Sequence, residues 1–194
     1  MKLRALETIR SLVFSTSQVA QALRITPPSA RLSCHRYVKR GDILRLKRDV
    51  YILKSAWNQS DFRKRCEIAN RLQVPSYVSF LSALAYYELT TQIPQSGIES
   101  AAMLRTKTYA AEGFEFCYLK LKPSLYFGFV KKDNFFIASP EKAFLDAIYL
   151  SWMGRYYLDR SALEAAKLNK KRTMALAKRF PRKVRNEAEA LWKK

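Results

Sequence analysis

Histidine occurs once in this 194-residue chain, at His35, and glycine only five times. Any Ser-His-Asp or Cys-His chemistry would have to run through that one imidazole. Scattered glycines without a GxxxxGK[ST] run leave no phosphate-cradling loop. Cys34, Cys66 and Cys117 stand 32 and 51 residues apart with no CxxC pair, which argues against both a disulfide framework and a zinc site. Buried free thiols in a reducing compartment are expected instead. No stretch approaches the roughly 18–20 apolar residues of a membrane span, and Glu7 and Arg10 interrupt what a signal peptide would need as its apolar run. A soluble, cytosolic protein is expected. Acidic residues are also scarce: 16 Asp+Glu face 36 Lys+Arg, a formal charge of +20.

With 48% aliphatic, aromatic and cysteine residues, the chain is too apolar for charge-driven disorder and should bury a core. Its length suits one domain or two small ones. The charge is unevenly placed. Residues 1–60 carry 12 basic and 3 acidic side chains, residues 61–160 carry 13 and 10, and residues 161–194 carry 11 and 3. Basic ends around a balanced middle suit a protein that meets a polyanion; nucleic acid is the commonest such partner, and an anionic membrane surface is the rival.

The first sixty residues have the order of a winged helix-turn-helix. Leu3, Leu6, Ile9, Arg10 and Val13 recur at helical spacing over residues 1–12. Ser15-Thr16-Ser17 offers a cap for a second helix carrying Val19, Ala20 and Leu23 to Arg24. Ile25-Thr26-Pro27-Pro28 breaks it and opens a third helix to Gly41. At about 100° per residue, Ala30, Cys34, Tyr37 and Val38 form that helix's core stripe. The opposite side collects Arg31, Leu32, His35, Arg36 and Lys39, with Ser29 in the first turn. Leu32, outward and apolar, either touches a thymine methyl or packs under the wing. Ile43–Leu46 and Val50–Leu53 read as two strands joined across Lys47-Arg48-Asp49. The major groove admits one helix, so Ser29, Arg31, Leu32, His35, Arg36 and Lys39 are candidates for base edges and phosphates. Arg45, Lys47 and Arg48 are candidates for gripping the backbone from the wing.

Trp57–Asp61 reads as a polar linker, which sets a DNA-binding domain at residues 1–56 and a second domain at 62–194. In the second, Phe62–Leu72 is an amphipathic helix, and Ser79 is expected to cap a buried helix over Phe80–Leu89. Ile98–Thr106, Phe114–Lys120, Leu125–Lys131 and Asn134–Ala138 read as strands. Ser139-Pro140-Glu141 starts a helix over Pro140–Trp152. Residues 160–194 read as two or three helices broken near Asn169 and Pro181. The last aligns Val184, Ala188, Leu191 and Trp192, with Lys183, Arg185, Lys193 and Lys194 around them. The expected fold class is α+β: a winged helix-turn-helix, then a mixed α/β domain ending in basic helices.

Three blocks carry a resemblance to a known family. They are Tyr37-Val38-Lys39-Arg40-Gly41-Asp42-Ile43-Leu44 with the wing to Val50-Tyr51; Ile68–Leu72 followed by Pro75-Ser76-Tyr77-Val78-Ser79-Phe80-Leu81-Ser82-Ala83-Leu84; and Ile137–Asp146, containing Ser139-Pro140-Glu141-Lys142-Ala143. In order and spacing, from about residue 5 to 155, the chain resembles the AbiEi-type antitoxins of abortive-infection (type IV toxin–antitoxin) systems and related transcriptional regulators. One departure is the wing turn, where Lys47-Arg48-Asp49 replaces the usual glycine. The resemblance implies an N-terminal domain that represses its own operon on double-stranded operator DNA. It also implies a C-terminal domain that counters a nucleotidyltransferase-like toxin, although some similar regulators stand alone.

Enzyme readings fare poorly. Cys34 and His35 are helix neighbours pointing about 100° apart, and Glu141 and Asp146 lie about 140° apart around one helix. Glu141 suits the cap, Asp146 a local hydrogen bond or ion pair, and Lys142 a salt bridge to a nearby acid. No enzyme activity and no cofactor is expected. The alternatives to an antitoxin-type repressor are a winged-helix regulator without a toxin and a basic protein- or membrane-interaction module. RNA binding is disfavoured because no stacking platform with RRM or KH spacing appears.

Overall fold

The computed structural model describes residues 4–92, 94 and 96–193; Leu3 and Lys194 fall outside them. Three helices come first: α1 (Arg4–Glu7), α2 (Thr16–Leu23) and α3 (Pro27–Arg40). Among the described residues of the expected first helix, only Arg4–Glu7 are helical, with Leu6 buried. α2 opens with a reciprocal cap between Ser15 and Gln18. Thr26 caps α3, Pro27 occupies its first turn, and Gly41 ends it at φ 79°, a left-handed conformation costly for other residues.

The hairpin β1 (Ile43–Lys47) and β2 (Val50–Leu53) follows, antiparallel with an irregular register near its turn. Asp49 takes up the left-handed turn position itself, at φ 57°, so no glycine is needed there. Phe14 and Tyr51 exchange backbone hydrogen bonds at 2.9 and 2.8 Å, which ties the segment before α2 to the hairpin.

The first two residues of the expected linker, Trp57 and Asn58, are helical, while Ser60 and Asp61 are irregular. α4 (Lys54–Asn58) buries Trp57, and the Arg65 guanidinium lies 3.4 Å from the Trp57 ring centre while also donating to the Trp57 carbonyl at 3.1 Å. Trp57 meets Phe114 and Phe116 edge-on. Its polar neighbours in sequence concealed a core residue.

After α5 (Phe62–Leu72) come β3 (Ser76–Val78), α6 (Phe80–Tyr86), β4 (Gly97–Ala102), β5 (Lys107–Ala111), β6 (Phe114–Lys120), β7 (Phe129–Lys132), β8 (Phe135–Ala138), α7 (Pro140–Trp152), α8 (Lys170–Ala177) and α9 (Arg182–Ala190). One six-stranded sheet has the order β5-β6-β4-β3-β8-β7, with β3/β8 and β4/β6 parallel and the other pairs antiparallel. The fold is α+β, with N-terminal helices, a sheet and C-terminal helices.

Strand alternation assigns the layers. Tyr118 sends its hydroxyl to the Ala69 carbonyl of α5, whereas Tyr77, whose neighbours in register are Ala101 and Leu119, sends its own to Asp146 of α7. The helices α5 and α7 therefore cover opposite faces, and α8 and α9 pack on α7. Leu6, Phe14, Val19, Ala30, Cys34, Tyr37 and Ile43 form a small buried cluster of their own. Val13, Leu46, Ile52 and Trp57 join the large cluster around the sheet.

Several expectations are corrected. β3 was not expected as a strand: it has three residues, all buried, and so no alternation to read. The expected strand Ile98–Thr106 ends at Ala102, and β5 starts only at Lys107. α6 stops at Tyr86, and Glu88 turns left-handed at φ 55°. Ser79 makes no side-chain cap; its hydroxyl donates to Asp146 instead. Residues 160–164 are not helical, and Leu89 and Thr91 exchange backbone hydrogen bonds with this segment. Cys34 and Cys66 are buried, whereas Cys117 is half-buried.

Candidate nucleic-acid interface

The outward face of α3 follows from its burial pattern. Ala30, Cys34 and Tyr37 are buried, Val38 is half-buried, and Ser29, Arg31, Leu32, His35, Arg36 and Lys39 are exposed. Leu32 retains 51% of its surface and so is not packed under the hairpin. Ser29 serves the helix start: its N–H and hydroxyl both meet the Thr26 hydroxyl, the latter at 2.9 Å.

The hairpin turn meets this face at one cleft. Thr16, Arg31, Arg45, Arg48, Asp49 and Tyr51 line a space of about 450 Å³. Asp49 organises it by accepting a 2.8 Å hydrogen bond from the backbone N–H of Thr16, the first residue of α2. The Thr16 hydroxyl first and its backbone N–H second hold the Asp49 carboxyl below the usual carboxylate range, and the guanidinium groups of Arg31 and Arg48 add to the effect. One carboxylate, already engaged, thus stands among three guanidiniums. Among the described residues, Arg31, His35, Arg36, Lys39, Arg45 and Arg48 form no ion pair. Arg40, by contrast, is paired with Asp42.

Lys47 departs from the expected wing set. Its ammonium donates to the Leu72 carbonyl at the end of α5 and lies 5.8 Å from the Tyr109 ring centre. Strict alternation would leave Lys47 on the same side of β1 as Arg45, but the register shifts between the two and the Lys47 side chain is directed toward α5 and the sheet. Of the nine candidate residues, Arg31, Arg45 and Arg48 are brought together at the cleft. Leu32, His35, Arg36 and Lys39 share the helix face beside it, Ser29 is at the helix start, and Lys47 is directed away. Asp49, Thr16 and Tyr51 were missed. The signal for Asp49 was a tight turn with no glycine, since Asp is among the few residues that tolerate the left-handed region.

The other polar constellation is internal. Lys142 and Asp146, four residues apart on α7, form an ion pair with both side chains fully buried. Tyr77 accepts from Lys142 at 2.8 Å and donates to Asp146 at 2.9 Å, and Ser79 donates to Asp146 at 2.9 Å. Rings of Tyr77, Phe127 and Phe180 stand 5.0–5.4 Å from the ammonium. Burial pushes the Lys142 ammonium down and the Asp146 carboxyl up, and their mutual attraction opposes both shifts. A Cβ on Gly128, itself at φ 72°, would approach Lys142 Cγ to 3.1 Å, so the lysine needs that glycine for room. The expectations of a salt bridge for Lys142 and a local bond for Asp146 both hold. Closed off from solvent, the group acts as a structural strut. Cys34 is buried beside exposed His35, and burial raises its thiol pKa. Among the described residues no cluster of three or more metal-ligating side chains occurs, and no helix is long and apolar enough to cross a membrane.

No protein-family model and no curated protein matches the chain. Among solved structures, it is similar to the crystal structure of the RV2827C protein from Mycobacterium tuberculosis. The two are 11% identical with a TM-score of 0.67, over 98% of this chain and 74% of that one. At that identity the likeness shows a shared fold alone.

Proposed function

We propose that the chain is a cytosolic transcriptional repressor whose residues 1–56 form a winged helix-turn-helix on double-stranded operator DNA. α3 enters the major groove, where Arg36, His35 and Leu32 face base edges. Arg31, Arg45 and Arg48 hold phosphates at the rim from α3 and the hairpin. The observation that carries this reading is the convergence of cations from two elements on one cleft without acidic partners beyond the engaged Asp49. Two cations that serve the fold, Lys142 and Lys47, are by contrast each engaged within the protein. Cations left unpaired cost self-repulsion, which a phosphate backbone relieves.

The antitoxin half of the proposal rests on the three sequence blocks that resemble AbiEi-type antitoxins. On that reading the body of the protein opposes a nucleotidyltransferase-like toxin. Co-expression with a nucleotidyltransferase encoded beside this chain should relieve its toxicity, and persistent toxicity leaves a repressor without a toxin.

The DNA reading is tested by titrating the full chain onto its own promoter duplex. Arg36→Ala should relax sequence preference, whereas Arg48→Ala should weaken all sequences alike. If both variants bind every duplex as the parent does, the groove assignment is wrong.

A further inference from the structure

The basic surface at the other end of the chain has no part in that reading. From the end of α8 into the first turn of α9 the chain runs Lys178-Arg179-Phe180-Pro181-Arg182-Lys183. Phe180 is buried against Phe127 and Tyr149 and anchors the corner. Lys178, Arg179, Arg182 and Lys183 are left exposed around it. Arg179 is held in place: its guanidinium lies 3.6 Å from the Phe127 ring centre and donates to the Ser124 carbonyl at 3.2 Å. Exposed Lys122 is two residues before Ser124.

The acids of this region are used elsewhere. Glu187 pairs with Arg160 and Glu189 with Lys193, and among the described residues none of the five corner cations forms an ion pair. The Phe127 ring also has the buried Lys142 ammonium 5.0 Å from its centre, so Arg179 and Lys142 share one aromatic ring while Asp146 alone counters the inner cation. The corner therefore carries uncompensated positive charge on a rigid support.

The surroundings select the class of partner. A helix lying in a membrane interface needs an exposed apolar face. Here that face is spent on the protein's own core: Thr173, Ala177, Val184 and Ala188 are buried, and Trp192 packs on Phe144. No large apolar side chain is exposed among described residues 158–193. A stable protein interface centres on desolvated apolar anchors, and the corner offers none. A phosphodiester backbone needs only closely spaced cations.

We infer that Lys122, Lys178, Arg179, Arg182 and Lys183 form a second contact for duplex DNA, one that grips the backbone without reading sequence and is separate from the α3 cleft. The inference rests on the DNA reading above for its choice of duplex DNA, and its test separates the two.

Full-length protein is titrated onto a 40-base-pair duplex of unrelated sequence and onto a structured RNA over a range of salt. Three forms are compared: the parent, a corner variant (Lys178→Gln, Arg182→Gln, Lys183→Gln) and a cleft variant (Arg31→Ala, Arg36→Ala, Arg48→Ala). Arg179 is kept because it packs on Phe127. Circular dichroism verifies that each variant is folded, as exposed substitutions should be. At about −0.9 per phosphate contact, the corner variant should lose between about two and three units of the parent's slope of log K against log salt. The cleft variant should retain a salt-dependent binding that adding the corner substitutions abolishes. A corner variant with the parent's slope overturns the second contact and leaves the cleft untouched. A cleft variant with the parent's slope, beside a weakened corner variant, overturns the cleft reading and leaves the corner standing. Loss of RNA binding with duplex binding unchanged assigns the corner to RNA and overturns the inference as stated.

Discussion

The cleft beside α3 and the strut inside α7 use the same kind of charge in opposite ways. At the cleft, Arg31, Arg45 and Arg48 remain in water around one engaged carboxylate. In α7, Lys142 is wholly removed from water and matched by Asp146, Tyr77 and three aromatic rings. A buried cation must be satisfied inside the protein, because desolvation costs several kcal/mol per ion. An exposed cation carries no such requirement and is free for an outside partner. On the proposed DNA reading, the difference separates residues that hold the fold from residues that serve recognition, even though Arg45 and Arg48 lie, like Lys142 and Asp146, in blocks carrying the family resemblance.

The largest effect should come from breaking the strut. Asp146→Asn or Lys142→Met leaves one buried charge unmatched and should cost about 3–5 kcal/mol in urea unfolding. Replacing both with leucine should recover part of that loss, with the Tyr77 and Ser79 hydroxyls still lacking their acceptor. If either single variant is as stable as the parent, Lys142 is not a strut. On the other side of the comparison, Arg36→Ala should leave stability unchanged and cost about 1–3 kcal/mol of discrimination between operator and altered duplexes. A drop in melting temperature without a change in discrimination would move Arg36 to the structural class.

Arg48 and Lys47 sharpen the contrast, since they are sequence neighbours with opposite placements. Arg48→Ala should reduce the salt slope of DNA binding by about one with little effect on stability. Lys47→Met should leave the slope alone and cost about 1 kcal/mol of stability through the bond to Leu72. The reverse result would put Lys47 on the backbone.

The smallest effect concerns Asp49. Its folded pKa lies below the unfolded value of about 3.9. Its charge therefore stabilises the fold above that value, and the contribution is lost as pH falls through the folded pKa. Melting of the parent and Asp49→Asn should differ by a constant margin from neutral pH down to about pH 4, and the gap should close below it. A gap that widens in acid would contradict the Thr16 bond.

Much of this comparison was legible in the sequence. Thr26, Pro27 and Gly41 are local signals, so the bounds of α3 and its outward face followed from capping and spacing alone. A salt bridge for Lys142 and a local bond for Asp146 were each legible, and four residues along a helix bring the two side chains together as one pair. What could not be read depended on tertiary packing. Trp57 sits among polar residues, and only Arg65, Phe114 and Phe116, distant in sequence, make it core. Lys47 looks like any wing cation until the end of α5 captures it. In sequence Asp49 is one residue of a charged turn, and only the fold brings its left-handed backbone and its bond to Thr16 to the cleft.

If the unpaired cations beside α3 serve a phosphate backbone, binding to the protein's own promoter must depend steeply on salt. With about six phosphates neutralised, the slope of log K against log salt should be about −5, and Arg31→Ala, Arg45→Ala and Arg48→Ala together should reduce its magnitude by about half. A slope near zero, or a slope those three substitutions leave unchanged, would contradict the account.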